Sequence, residues 1–389
     1  MNLTPTPLQE RVIAIDMMRG FALLGIFIAN MLLFHTPFYY IDPYSWFTVP
    51  ADKEAFRWID IFVQASFYPL FSMLFGYGLA MQHRKTVERG ISFTPLAVRR
   101  LSVLLLFGMF HAFFVWSGDI LITYAITGFA LFGLLKLSAK WLTAIAAVLF
   151  GIGQAILVGL AFFVSKIPSF DMAYVDITKI ESSIAAYANG SWGEIFVQRA
   201  GDWFYANQPI ILPLMILSTI LPFTMIGAAA AKAKLIERTG EKLTFWIVTS
   251  IVSFGIGFAL KMLPYIGGAD LLTVTVQDSI GGPFVAVGYG ALIALLCQIP
   301  LFRVVLRPVA RAGRMSFTTY LMQSIIATLI FYSYGLGLYG KVDVATGTWL
   351  AVGIFVIQVI FAELWFMKFK YGPFEWVWRK MTYGKLPTN

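Results

Sequence analysis

Long apolar runs recur along this chain from residue 19 to residue 367, and they constrain its fold more than any other feature. A helix of about 20 apolar residues spans the hydrocarbon core of a bilayer. Stretches of about 18 or more apolar residues recur along the whole length, which points to a multi-pass helical membrane protein. Composition agrees: 59% of the 389 residues are hydrophobic and only 13% are charged. The expected class is all-α, a polytopic membrane helix bundle of about ten transmembrane helices. The expected spans are 19–36, 61–81, 101–117, 120–136, 141–163, 209–231, 243–264, 283–300, 315–334 and 348–367. No repeat or low-complexity linker divides the chain, so residues 1–389 read as a single integral-membrane domain. The first apolar run leads into further spans, which is unlike a cleavable signal peptide.

An even number of spans puts both termini on one side, and the basic residues choose the side. With the N-terminus in the cytoplasm, 22 of the 29 Lys and Arg fall in cytoplasmic segments or at their span ends. This is the positive-inside pattern, so both termini are expected in the cytoplasm. The net charge of +9 is then a topological feature. It does not call for nucleic acid as a partner. One loop is long: residues 164–208 lie on the opposite, extracytoplasmic side. Their pattern suits one or two amphipathic helices, acting as a lid or as a structural cap.

Ionisable groups inside a membrane are costly, so the few present are functional candidates. His111 lies within the third span, about 15 Å from its start at 1.5 Å per residue. Two roles are open to it: general base, or an interhelical hydrogen bond that holds the bundle. Asp119 follows a Ser-Gly break and opens the fourth span. It reads either as a helix cap or as a group that orients His111. On an unbroken helix eight residues would hold the two about 12 Å apart, so they meet only if the break folds the chain back. His35, at the outer end of the first span, is either a base at the outer mouth or an interfacial residue ahead of the Pro37 turn.

Arg19, Arg99, Arg100, Arg314 and Arg379 are expected to ring the cytoplasmic rim. Guanidinium forks suit phosphates, including those of a nucleotide or coenzyme A; lipid headgroups are the other reading. Asp16 and Arg19 share a helical face and can pair. Glu363 is expected to pair with a rim cation. Gly76 and Gly78 permit either close helix packing or a small cavity. Cys297 is the one cysteine, so no disulfide forms within the chain, and His35, His83 and His111 lack metal-ligand spacing. No metal is expected, and no Gly-rich phosphate loop, HExxH or GxSxG is present.

Five segments in order carry a resemblance: "IDMMRGFALLGIFIAN" (15–30), "FYPLFSMLFGYG" (67–78), "RRLSVLLLFGMFHAFFVWSGDILITYAITG" (99–128), "AGRMSFTTYLMQS" (312–324) and "YGPFEWVWRKMTY" (371–383). Together they resemble the YeiB family of bacterial multi-pass inner-membrane proteins. His111, Gly118, Asp119, Ile120 and Leu121 match that family's H…GDIL segment. Arg19 and Gly20 match its first-span motif, Gly313, Arg314, Thr318, Tyr320 and Gln323 its ninth-span motif, and Gly372, Pro373, Glu375, Trp376 and Arg379 its tail motif. The opening also looks distantly similar to the transmembrane acyltransferase superfamily, which includes the heparan-type glucosaminide N-acetyltransferases.

That likeness implies transfer of an acyl group from cytoplasmic acyl-CoA, such as acetyl-CoA, to an extracytoplasmic acceptor, with a membrane-embedded histidine. It implies His111 as base with Asp119 positioning it, and His35 as the alternative. The arginine rim would hold the coenzyme phosphates. Expected partners are membrane lipids, a glycan or amine acceptor, and a second copy of the chain as a homodimer. The expected location is the bacterial cytoplasmic (inner) membrane. The competing readings are a small-solute transporter, for which repeats and paired intramembrane charges would speak, and a non-catalytic membrane scaffold.

Overall fold

The computed structural model describes residues 12–167 and 175–384, and every regular element among them is helical. The principal helices are α1 (Ile13–His35), α2 (Pro50–Phe62), α3 (Phe67–Glu88), α4 (Thr94–Phe110), α5 (Leu121–Leu134), α6 (Ala139–Val164), α7 (Ile177–Asn189), α8 (Trp192–Ala206), α9 (Ile211–Lys232), α10 (Leu243–Lys261), α11 (Leu271–Leu296), α12 (Arg307–Arg314), α13 (Ser316–Phe331), α14 (Val344–Lys368) and α15 (Pro373–Tyr383). Eight helical segments are long and apolar enough to cross a membrane, and α5 and α13 are two shorter apolar helices. They account for the ten expected segments. The chain is a multi-pass helical membrane protein.

Several boundaries differ from the sequence reading, each for a local reason. The span expected at 61–81 is two helices, because Ala65 takes a left-handed conformation, φ 57°, and breaks the chain between α2 and α3. Such a residue is uncommon outside glycine, and an apolar pattern gives no sign of it. The span expected at 283–300 begins 12 residues earlier, at Leu271. Asp270 caps it there, accepting the Thr273 N–H at 2.7 Å while its own N–H donates to the Thr273 hydroxyl at 3.0 Å. In the long loop, α7 and α8 are the expected amphipathic helices. Asp176 caps the first and a Ser191–Glu194 capping box the second. Residues 168–174, including the loop residue Asp171, lie outside the described residues.

Lipid offers no hydrophobic drive between helices, so close backbone approach does the packing. At the α3–α9 crossing the approach is reciprocal. A Cβ on Gly76 would lie 1.9 Å from the Thr224 carbonyl oxygen, and one on Gly227 would lie 1.9 Å from that of Met73. The α1–α12 crossing repeats the device: a Cβ on Gly20 would meet Val309 O at 2.1 Å, and one on Gly313 would meet Asp16 O at 2.0 Å. Helix α1 runs through the middle, packed on α3, α11, α12, α13 and α14. On the rim, Val148, Ile152, Ile156 and Leu160 of α6 are exposed at four-residue spacing, a ridge for acyl chains.

These crossings predict a stability effect. Gly227→Ala must push α3 and α9 apart, at a cost of about 1–3 kcal/mol. A lowered Tm in detergent is the expected result. Gly255→Ala is the control, since a Cβ there meets nothing within 4 Å, and its Tm should match wild type.

Candidate functional site

Helix α4 does not end in solvent. It widens into a π turn over His111–Val115, closed by Trp116 N–H donating to His111 O at 2.8 Å. Such turns recur at functional sites. Trp116 then folds back and stacks on Phe34, with ring centroids 4.0 Å apart. A Cβ on Gly118 would sit 2.2 Å from the Trp116 ring, so the reversal needs glycine there.

The reversal brings Asp119 onto His111. His111 Nδ1 lies 2.8 Å from Asp119 Oδ1, and both side chains are buried. Asp119 Oδ2 accepts the Ile122 N–H at 2.9 Å at the start of α5. The two readings of Asp119 therefore both hold: one carboxylate caps the helix and holds the imidazole. A carboxylate at Nδ1 favours the tautomer with the proton on Nδ1 and leaves Nε2 as a lone-pair acceptor. Nε2 is buried and has no hydrogen-bond partner. Tyr320 lies against the imidazole, with ring centroids 5.2 Å apart, and its buried hydroxyl also lacks a partner.

Beside this pair lies a cavity of about 230 Å³. Its basic end is lined by Arg19, Arg100, Arg314 and Arg379. Its apolar part is lined by Leu23, Ile26, Ile120, Leu121, Tyr124 and Tyr320, of which Ile120 follows Asp119 and Tyr320 touches His111. Arg19 and Ile26 are seven residues apart on α1, so the cavity reaches about 10 Å inward. Val12 and Trp378 also line it, which puts the start of α1 and the tail helix α15 at one end of the bundle. Both roles foreseen for the glycines of α3 occur. Gly76 packs on α9, while Gly78 lines the cavity, where a Cβ would lie 3.2 Å from Arg19 Nη2.

Four of the five rim arginines thus converge. Arg100 lies over the Trp378 ring at 3.9 Å, Arg314 over Phe366 at 4.1 Å and Arg379 over Tyr371 at 4.4 Å. Arg19 pairs with Asp16 at 3.3 Å. Arg99 is exposed and lies outside the cavity lining. Glu363 pairs with Arg311 as expected. His35 is the last residue of α1. It is fully enclosed, its ring 5.5 Å from that of Phe331, and a Cβ on Gly347 would lie 2.5 Å from its Nε2.

Two polar centres have no role in the sequence reading. Glu375, buried on α15, accepts the N–H groups of Phe317 at 2.7 Å and Thr318 at 3.0 Å and the Thr318 hydroxyl. It caps the start of α13 from another helix. Burial pushes its carboxyl above the usual carboxylate range, opposed by these donors. Its sequence signal, an acid in the first turn after Pro373, suggested only its own helix. The other centre is a network at the far end of the bundle. Lys261 Nζ donates to Asp278 Oδ1 at 3.0 Å, and Gln277 Nε2 donates to Asp60 at 2.6 Å. Tyr44 and Tyr265 also donate to Asp60, at 2.9 and 2.7 Å. The donors and acceptors lie up to 233 residues apart, beyond any local pattern.

Comparison with known proteins places this chain in a family. The family described as "Protein of unknown function (DUF418)" matches residues 230–385, which include Arg314, Glu375 and Arg379 but not the His111–Asp119 pair. The uncharacterized protein YxaH of Bacillus subtilis is 34% identical over 98% of this chain and 96% of its own length. The uncharacterized protein YeiB of Escherichia coli is 27% identical over 96% of this chain and 97% of its own. An uncharacterized 39.9 kDa protein from the amylase 3' region of Bacillus acidopullulyticus is 26% identical over 98% and 97%. With near end-to-end similarity to these relatives and a match to DUF418 over residues 230–385, the chain belongs to the YeiB family.

Proposed function

We propose that this protein is a transmembrane acyltransferase of the bacterial cytoplasmic membrane. It takes an acyl group from an acyl-CoA, acetyl-CoA being the simplest donor, and gives it to a hydroxyl or amine on the opposite side, as on a glycan. The observation that carries the reading is the cavity, with four arginines at one end and the neighbours of a buried His–Asp pair along its apolar part. Guanidinium groups recognise phosphates through paired charge-assisted hydrogen bonds, and the coenzyme offers several phosphates. The weight of Lys and Arg at this end supports its being cytoplasmic.

In this reading Asp119 orients His111, and Nε2 serves as the base. It takes the proton from the acceptor O–H or N–H as that atom attacks the thioester carbonyl. A C–O or C–N bond forms, the C–S bond breaks, and the coenzyme thiolate leaves and picks up a proton. The thioester is already activated, so proton removal is the histidine's whole task. Neither histidine lines the cavity, but His111 packs on its lining residue Tyr320, whereas His35 is enclosed against Gly347 and Phe331 and is the weaker candidate.

Calorimetry of coenzyme A and acetyl-CoA on the purified protein in detergent tests the donor. Arg19→Ala removes one charge-assisted contact and should weaken binding about tenfold. His111→Ala should leave it unchanged. No heat at millimolar ligand on folded protein would sink the coenzyme A assignment. One observation favours a second reading, a small-solute transporter: buried Lys261, paired with the partly exposed Asp278 and close to buried Asp60, is the kind of charge found on ion pathways. Proteoliposome uptake that collapses in Asp60→Asn, with no coenzyme binding, would select it.

A further inference from the structure

Arg199 of α8 is fully buried, and its bonding is incomplete in a particular way. Nη1 donates to the Phe113 carbonyl at 3.1 Å. The rings of Trp192 and Tyr332 flank the guanidinium, each centroid 5.9 Å away. Nε and Nη2 are buried and have no partner. These two nitrogens form the side-on fork, whose parallel N–H bonds match two oxygens of a carboxylate or phosphate. The group is held on one side and presents that fork empty-handed on the other.

The acids of its own helix do not fill it. Asp202 accepts from Tyr40 at 2.6 Å, Tyr187 at 2.6 Å and Gln198 at 2.7 Å. Glu194 is exposed and closes the capping box with Ser191. A second orphan lies on the same helix. Trp203, four residues on and so on the same helical face, packs its ring 5.3 Å from that of Phe113. Its indole N–H is buried and unpartnered. Buried polar groups without partners are uncommon, and a charged one costs most. Here two residues with unpartnered buried N–H groups both contact Phe113, Arg199 through its backbone carbonyl and Trp203 through its ring.

We infer that Arg199 and Trp203 form an oxyanion site that takes the carboxylate or phosphate group of a bound molecule. The site is tied to the His111 pair, because Phe113 belongs to the π turn that starts at His111. It lies on the loop helix α8, whose Trp192, Val197 and Phe204 are exposed. A soluble anion and a lipid phosphate offer the same chemistry to the fork. The site does not depend on acyl transfer being the activity, and loss of coenzyme binding would leave it standing.

The test is thermal stabilisation of the full-length protein in maltoside micelles. The probes are acetate, inorganic phosphate and phosphatidylglycerol, with chloride at equal ionic strength and diacylglycerol as controls. Wild type should gain Tm with at least one probe. Arg199→Lys keeps the charge and loses the fork, and should weaken that probe at least tenfold. Trp203→Phe keeps the ring and loses the donor, and should weaken it about threefold. Gain from the soluble anions assigns a soluble ligand; gain from phosphatidylglycerol alone assigns a lipid phosphate. Either supports the site. No gain in wild type with any probe, or an equal gain in Arg199→Lys, overturns it. If Arg199→Lys does not fold, Trp203→Phe decides: unchanged affinity overturns the site.

Discussion

His111→Ala is expected to lower acyl transfer by about 10²–10⁴-fold while donor affinity stays at the wild-type value. That range is what a positioned general base contributes. The split follows from geometry: the arginines line the cavity, whereas the imidazole is absent from its lining and touches it only through Tyr320. Asp119→Asn is the sharper variant. An asparagine oxygen can still accept the Ile122 N–H, so the start of α5 stays capped. Its amide would then face Nδ1 and favour the tautomer with Nε2 protonated, which disables the base. Turnover should fall by a similar factor with little change in Tm. Asp119→Ala should lose turnover and, with the cap gone, about 0.5–2 kcal/mol of stability as well. Release of free coenzyme thiol from acetyl-CoA in the presence of a sugar amine is the measurement. Wild-type release by His111→Ala, with loss in His35→Ala, would move the base to the other histidine.

The second large effect concerns the tail. Glu375→Ala should destabilise the protein by about 3 kcal/mol, because it leaves the Phe317 and Thr318 N–H groups and the Thr318 hydroxyl without their acceptor in a buried place. Glu375→Gln keeps one acceptor oxygen and should recover about half of that loss. Gly372→Ala attacks the same joint sterically: its Cβ would fall 2.2 Å from Glu375 Oε2 and 2.8 Å from Met315 Cβ. Protease susceptibility of the tail and Tm should change together in Glu375→Ala and Gly372→Ala. Because Glu375, Trp378 and Arg379 line the cavity, coenzyme affinity should fall with them. A loosened tail with unchanged affinity would show that α15 takes no part in binding.

The joint also explains the family motifs. "AGRMSFTTYLMQS" and "YGPFEWVWRKMTY" are separated by 46 residues, yet Glu375 and Thr318 bind them into one structure, with Phe374 N–H donating to the Thr318 hydroxyl at 3.0 Å. In the same way "IDMMRG" meets "AGRM" where Gly20 and Gly313 let α1 and α12 touch.

What the sequence determined by itself was whatever depends on one residue's preference for its solvent. Apolar runs set the membrane class and the spans, and the weight of Lys and Arg marked the end at which Arg19, Arg100, Arg314 and Arg379 gather. The Asp16–Arg19 pair was legible too, since three residues on a helix fix the distance. The tertiary structure decided everything that requires two distant segments within about 3 Å. Whether Asp119 meets His111 hangs on the reversal through Trp116 and Gly118. Arg199 was missed because its significance is an absence of partners, and only packing shows which donors remain. Hydrophobic burial is non-directional and survives as a pattern along the chain. Hydrogen bonds are directional and short, so their partners follow from how the helices cross, and those crossings rest on glycines whose neighbours lie elsewhere in the sequence.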